Sequence, residues 1–331
     1  MDKILAFLIL ASLVVSVRTM VNTPALRLLL LLPERKGSFY YPFGMEKTGA
    51  AVYVALDDIK ADGLLLNMTI EVDRINTKCN DVYALGVGSD YLHTHTYHGI
   101  IGPQCSGVCR HIGRLAAYYN LPCLTGVCQD TEMLNKDTFK TLTRLLGTFD
   151  KVGHAVRGIM VHFKWKRIGI ISQKHTDRIW KYTREAVEEV VTGAGMLVAV
   201  SKEYNAATND SLKAILAEVA SLSRIIVLAV RGETLRTLMV LAHEMALTSG
   251  DYMFISVYYY ASAKTFGDIS WLQNDEYDDV AMTAYTSLIF VSYFTPLTHL
   301  YRKFEDDVKR KSETLFNYTY QADEGVSVFS V

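Results

Sequence analysis

The chain has 331 residues, 50% of them hydrophobic, and its 34 Lys and Arg nearly balance 35 Asp and Glu, for a net charge of −1. That length supports about two ordinary domains, each with a core of its own. The charge balance excludes the basic footprint of a nucleic-acid-binding protein, and the apolar content excludes a disordered chain.

Lys3 precedes an apolar run from Ile4 to Val17 with small residues near its end. A charged start followed by an apolar stretch too short for a comfortable membrane span predicts a secretory signal peptide over residues 1–18, cleaved near 16–20; a signal anchor is the other reading. No later run is long enough to cross a membrane, since Leu28–Leu32 is closed in by Arg27 and Glu34. Secretion places the chain in an oxidising compartment. Asn67-Met-Thr, Asn209-Asp-Ser and Asn317-Tyr-Thr are glycosylation sequons and agree with an extracellular surface.

Leu26–Leu32 reads as a buried strand ended by Pro33, followed by a loop from Glu34 to Phe43 with Gly37, Tyr40 and Tyr41. A helix is expected from about Gly44 to Ala61, with Met45, Val52, Leu56 and Ile59 inward. Thr69–Ile75 alternates as a strand, 81–90 reads as helical, and His98–Gly102 is a short strand closed by Pro103. Val108, Ile112, Leu115, Ala116 and Tyr119 mark a helix, and Leu121–Thr125 a strand. After Thr148 the pattern repeats. Val152, Ala155, Val156, Ile159, Met160 and Phe163 share a helical face; Arg167–Ser172 is a strand, Ile179–Val191 a helix and Leu197–Ser201 a strand. Leu212–Leu222 reads as a helix capped by Asn209 or Asp210.

The clearest unit spans Ser223–Val257. Arg224–Val230 is a short apolar run, Glu233–Leu247 is an amphipathic helix, and Tyr252–Val257 starts a new strand. Such a βαβ unit puts both strands parallel in one sheet with a right-handed crossover. Met282–Leu288 is expected as a further strand, and Pro296–Lys311 as a charged helix. Two series of alternating strands and helices predict an α/β protein of two doubly wound parallel-sheet lobes joined by a hinge. Lobe 1 covers 24–147 and lobe 2 covers 148–285; residues 286–331 are too short to stand alone and are expected to return to lobe 1.

No P-loop, HExxH, GxSxG or dinucleotide fingerprint is present, so neither an enzyme nor a cofactor site is indicated. His93, His95 and His98 lie close together, in what reads as one loop, and suit solvated histidines better than metal ligands. Asp57 and Asp58 suit a solvated helix face. Cys79, Cys105, Cys109, Cys123 and Cys128 could hold zinc by ligand count, but behind a signal peptide disulfides fit better. A Cys79–Cys105 bridge would close a loop of about 27 residues, worth about 3–4 kcal/mol in the chain-entropy account. Cys109–Cys128 is a second candidate, which leaves Cys123 odd, either buried or free to pair between chains.

Four blocks carry a resemblance: Gly102-Pro-Gln-Cys105; Gly113-Arg-Leu-Ala-Ala-Tyr-Tyr-Asn-Leu-Pro122; Thr141-Leu-Thr-Arg144 with Lys151 and the helix ending near Trp165; and Leu235–His243 with Thr248-Ser-Gly-Asp-Tyr252. From about residue 26 onward the chain resembles the extracellular domain of natriuretic peptide receptors, in the receptor guanylate cyclase group, on the type I periplasmic-binding-protein-like (ANF-receptor) fold. The resemblance implies a Cys79–Cys105 disulfide. It implies a homodimer that holds one secreted peptide hormone and signals by rearrangement of its protomers. By position it implies hormone contacts at Asp81, Arg114, Phe139, Tyr182, Glu185 and Tyr204. Core packing is the competing role for the aromatics, and a solvated helix face for Glu185.

Departures from the vertebrate pattern are also visible. Gly107 stands at a tyrosine contact, Thr138 at an acidic one and Lys181 at an aromatic one. The second-lobe cysteine pair falls at Trp180 and Ala229, while Cys109 and Cys128 resemble the invertebrate receptor cyclases. The family continues past the position of Val331 with a lobe-1 helix, a stalk, a membrane span and cytoplasmic domains, where any cyclase activity would lie. The expectation is therefore a fragment, a truncated gene model or a soluble decoy receptor, at the cell surface in a full-length receptor and secreted at this length. The alternative function is a module that binds an amino-acid-like molecule in the cleft between lobes.

Overall fold

The computed structural model describes residues 25–37, 40–174, 179–205, 208–259, 263–294, 296–321 and 324–326. The expected signal peptide lies outside them. The first sheet contains β1 (Ala25–Leu32), β2 (Thr69–Asn76), β3 (Gly99–Ile101), β4 (Cys123–Thr125) and β5 (Leu142–Arg144), ordered β2-β1-β3-β4-β5 with every pair parallel. The second contains β6 (Arg167–Gln173), β7 (Leu197–Tyr204), β8 (Ile225–Ala229), β9 (Met253–Val257) and β10 (Leu288–Val291), ordered β10-β9-β8-β6-β7 and also parallel. Within each sheet the strand sequence runs second-first-third-fourth-fifth, so the chain holds two copies of one topology. Each has its order reversal beside its first strand, where doubly wound sheets bind ligands.

The crossovers are α1 (Gly49–Ala61), α2 (Asp81–Thr94) and α3 (Ser106–Tyr118) in lobe 1, then α4 (Asp150–His162), α5 (Ile179–Gly193), α6 (Asn209–Leu222) and α7 (Gly232–Glu244) in lobe 2. Parallel strands covered on both faces must be apolar throughout. Accordingly all five residues of β8 are buried, as is the second half of β1. Lobe 1 packs around Leu29, Leu31, Ile100, Ile112 and Phe139. Lobe 2 packs α6 and α7 on one face of its sheet and α4 and α5 on the other.

Several elements differ from expectation. Residues 282–287 are not a strand: α9 (Asp278–Ala284) and a 3-10 turn precede β10, because Ala281 and Ala284 are small enough to bury the helix on α7. The α6 cap is Thr208, whose hydroxyl accepts from the Ser211 N–H at 3.3 Å, while Asp210 falls in the first turn. Residues 44–48 are turns before α1 begins, and β5 differs from the expected strands in having one buried side chain in its three residues, too little for an apolar run to mark it. His93 lies in the last turn of α2 and His95 is its C-cap, so only His98 belongs to the loop; its Nδ1 accepts from the Arg27 N–H at 3.0 Å. After the short α8 (Ala263–Phe266) and α9, the last helix, α10 (His299–Phe316), runs past Lys311 to Asn317, whose left-handed backbone closes it.

The returning segment packs on lobe 1. Val308 and Val326 meet Ala50, Ala51 and Val54 of α1, and Lys311 pairs with Asp57 at 2.6 Å. Lys47 forms an ion pair with Glu324, their side chains only 6% and 12% exposed. Tyr318 donates to the same carboxylate at 2.6 Å. Burial alone would raise the Glu324 pKa, but the hydrogen bonds from Lys47 and Tyr318 and the Lys47 charge hold it below its ordinary value. A carboxylate with a depressed folded-state pKa stabilises fully above its unfolded pKa and loses that contribution as pH falls through the folded one. Acidification below the ordinary glutamate range should therefore loosen residues 317–321 and 324–326 first. Glu324→Gln should abolish that acid step and, by leaving Lys47 uncompensated, destabilise by about 3 kcal/mol; hydrogen exchange and urea unfolding against pH measure both.

Candidate functional site

The ends of the two sheets face each other across a cleft, where a cavity of about 260 Å³ is lined by both lobes. Lobe 1 supplies Ser106, the first residue of α3, and Gln129, Asp130 and Thr131 from the loop after β4. Lobe 2 supplies Phe149 and Asp150 at the start of α4 and Tyr182, Glu185, Ala186 and Glu189 from one face of α5. Spacing of three, four and seven residues places those α5 side chains on one stripe.

A glycine sets the approach of α4 and α5. A Cβ on Gly153 would lie 2.2 Å from the Ala186 carbonyl oxygen, so only glycine lets the two backbones come this close. That contact lets Phe149 stack on Tyr182, with ring centroids 5.4 Å apart. Phe149 also meets the edge of Tyr259 at 6.1 Å.

Both disulfides brace the lobe-1 wall. Cys79–Cys105 joins the turn before α2 to the start of α3, and Cys109–Cys128 joins α3 to the loop that carries Gln129 and Asp130. Disulfide bonding replaces the zinc reading of these four residues. Cys123 is free and buried, which pushes its thiol pKa up to about 12. Gln129 donates to the Gly147 carbonyl at 3.2 Å and to the Tyr293 hydroxyl, and its own carbonyl accepts from the Phe149 N–H at 3.3 Å.

Asp130, Asp150, Glu185 and Glu189 make the cavity acidic. Asp130 pairs with Arg110 at 3.1 Å. Burial pushes the Asp150 pKa up, but the Thr148 hydrogen bond and the Lys151 and His154 charges outweigh it, so the carboxyl stays ionised below its ordinary range. Arg144 donates to the carbonyls of Cys128 and Asp130 at 3.3 and 3.2 Å; burial lowers its pKa against the pull of Asp150 and Asp130. Glu185 lies 3.6 Å from Lys181 and 3.7 Å from Arg184. An anionic pocket with an aromatic platform suits a cationic group.

Of the six residues singled out in the sequence, Tyr182 and Glu185 line this cavity. Asp81 opens α2 with its carboxylate 3.8 Å from His111, and Arg114 on α3 pairs with Glu132 at 2.8 Å; both side chains are about half exposed and neither lines this cavity. Phe139 is 0% exposed beneath Arg114, whose guanidinium lies 5.7 Å from its ring centroid, and Tyr204 is 8% exposed in the lobe-2 core. These two aromatics pack the protein and present no open surface. Gly107 faces Asp81, and a Cβ there would sit 3.6 Å from it. Trp180 and Ala229 are both buried in one cluster of lobe 2, where the indole occupies space in the core. Phe149, Asp150, Asp130, Gln129 and Glu189 were not foreseen; the stripe Tyr182-Glu185-Glu189 was the readable signal.

Two lobes of one parallel topology with a cleft at the strand ends define a periplasmic-binding-protein-like receptor domain. Residues 47–329 match the family described as the receptor family ligand binding region, and the chain belongs to that family. It is similar to human atrial natriuretic peptide receptor 3, 28% identical over 216 residues, covering 65% of this chain and 40% of the relative. It is also similar to a receptor-type guanylate cyclase, gcy-13, of Caenorhabditis elegans, 24% identical over 258 residues and covering 73% and 25%. Mouse guanylate cyclase 2G is 23% identical over 218 residues, covering 65% and 20%. The chain thus matches less than half the length of each of these relatives. No helix among the described residues is long and apolar enough to cross a membrane.

Gly153→Ala should cost about 2 kcal/mol, because its new methyl meets backbone rather than a flexible side chain. Gly158→Ala in the same helix, with nothing within 4 Å, should instead stabilise slightly. Thermal unfolding of the two variants checks the contrast.

Proposed function

We propose that this chain is the extracellular ligand-binding region of a receptor for a secreted peptide, working as a homodimer whose protomers reorient when the peptide binds. The observation that carries the reading is the pairing of Tyr182 and Glu185 in one acidic, aromatic-walled cavity between lobes. A peptide that offers a lysine or arginine side chain would lay its stem on the Phe149–Tyr182 stack and its charge among Glu185, Glu189 and Asp150. These groups all belong to lobe 2; with neighbouring peptide atoms against Gln129 and Asp130 of lobe 1 the contact spans both lobes, favours one interlobe angle over another and biases a pre-existing equilibrium. The names of two of the relatives, a natriuretic peptide receptor and a receptor-type guanylate cyclase, support the same class. The two disulfides suit an oxidising extracellular setting, and Asn67, Asn209 and Asn317 are exposed and open to glycosylation. In a longer receptor, membrane attachment and any cyclase activity would lie outside this ligand-binding region.

A second reading is favoured by the size of the cavity, which at about 260 Å³ also admits a free amino-acid-like cation. Binding of a secreted-peptide library, followed by light scattering for dimer formation, separates the two. A peptide hit that strengthens the dimer, weakened about a hundredfold in Tyr182→Ala, Glu185→Ala, supports the receptor reading. Thermal stabilisation by a free amino acid with no peptide hit would replace it with the small-molecule reading.

A further inference from the structure

A second cavity, about 620 Å³, opens on lobe 1 away from the residues of the cleft. Its walls are the loop after β1 and the turn between β2 and α2. Asn76, the last residue of β2, ties the two together. Its Oδ1 accepts from the N–H groups of Glu34 at 3.1 Å and Lys78 at 2.8 Å, and its Nδ2 donates to Glu34 Oε2 at 3.1 Å. Lys78 and Cys79 both have positive φ, 53° and 50°, a conformation that side chains with a Cβ rarely adopt. The Cys79–Cys105 disulfide and the Asn80 cap of α2 hold that turn in place. It carries the Lys78 ammonium over the Tyr83 ring, 3.9 Å from the centroid.

The charge around this space is lopsided. Arg35, Lys36 and Lys78 line it against one carboxylate, Glu34, which Asn76 already engages. The Arg35 N–H is fixed by Glu46 Oε1 at 2.8 Å, which sets the path of the loop. Tyr41 and Tyr83 supply flat walls. Burial raises the Tyr41 pKa, so its hydroxyl stays neutral at physiological pH. A bare inorganic anion would fill only a small part of this volume, which falls in the range of sites for small organic ligands.

We propose that this cavity binds a small organic anion, its negative group held by Lys36 and Lys78 and its flat body lying against Tyr41 and Tyr83. The site is independent of the peptide reading of the cleft. Strand-end backbone, an amide clamp and a disulfide already hold its walls, so binding orders little new chain.

Phenyl phosphate is the probe, with inorganic phosphate and phenol as its separate halves, measured by titration calorimetry on the whole chain. Phenyl phosphate should bind at least about tenfold more tightly than either half, and Lys36→Gln, Lys78→Gln should weaken it by about tenfold or more. Glu34→Gln, which removes the opposing charge, should tighten it. The cleft variant Tyr182→Ala, Glu185→Ala should bind the probe like the parent, which keeps this test separate from that of the cleft. No binding of phenyl phosphate, binding no stronger than that of inorganic phosphate, or binding unmoved by both lysine and Glu34 changes would overturn the proposal.

Discussion

Parallel strands cannot be joined by tight turns, so each connection must travel back along the sheet, and here it does so mostly as a helix. Both faces of each sheet are thereby covered, and strands such as β8 have no exposed side chain to offer. Chemistry is displaced to the strand ends and the first turns of the helices. The cleft cavity obeys this rule: Ser106 opens α3, Asp150 opens α4, and Gln129 and Asp130 follow β4. The basic cavity of lobe 1 obeys it too, with walls that leave β1 and β2.

That constraint also explains what could be read from the sequence. Apolar runs bounded by glycine, proline or charge identified β1, β6, β8 and β9, and helical periodicity identified the crossovers between them. The misreadings came where burial is one-sided or brief. Residues 278–287 bury only Ala281, Ala284 and Ser287, too little for a helical pattern to stand out, so an alternating reading looked equally good. The α6 cap was misplaced because Thr208, Asn209 and Asp210 are all cap formers, and the sequence does not say which one leaves the helical backbone.

The site was legible in part for the same reason. Tyr182 and Glu185 sit on a helix whose face can be drawn from spacing. Phe149 and Asp150 were hidden because their place in the cleft depends on Gly153, whose need for close backbone approach appears only when α5 is beside it. Phe139 and Tyr204 take the competing role named for the aromatics, since both face inward and fill a core. At Trp180 and Ala229, where the resemblance implied a cysteine pair, a large indole and a small methyl share one buried cluster and fill the core by packing volume.

Gln129 has a mechanical meaning beyond lining a wall. Its backbone and side chain touch Phe149, Gly147 and Tyr293, and these lie on the two described stretches where the chain passes between lobes. The cavity wall and the hinge are therefore pinned at one residue, like a lever whose fulcrum sits beside its load. One set of hydrogen bonds at Gln129 thus holds the loop after β4 and both crossings, so a change at that residue would release the wall and the crossings together.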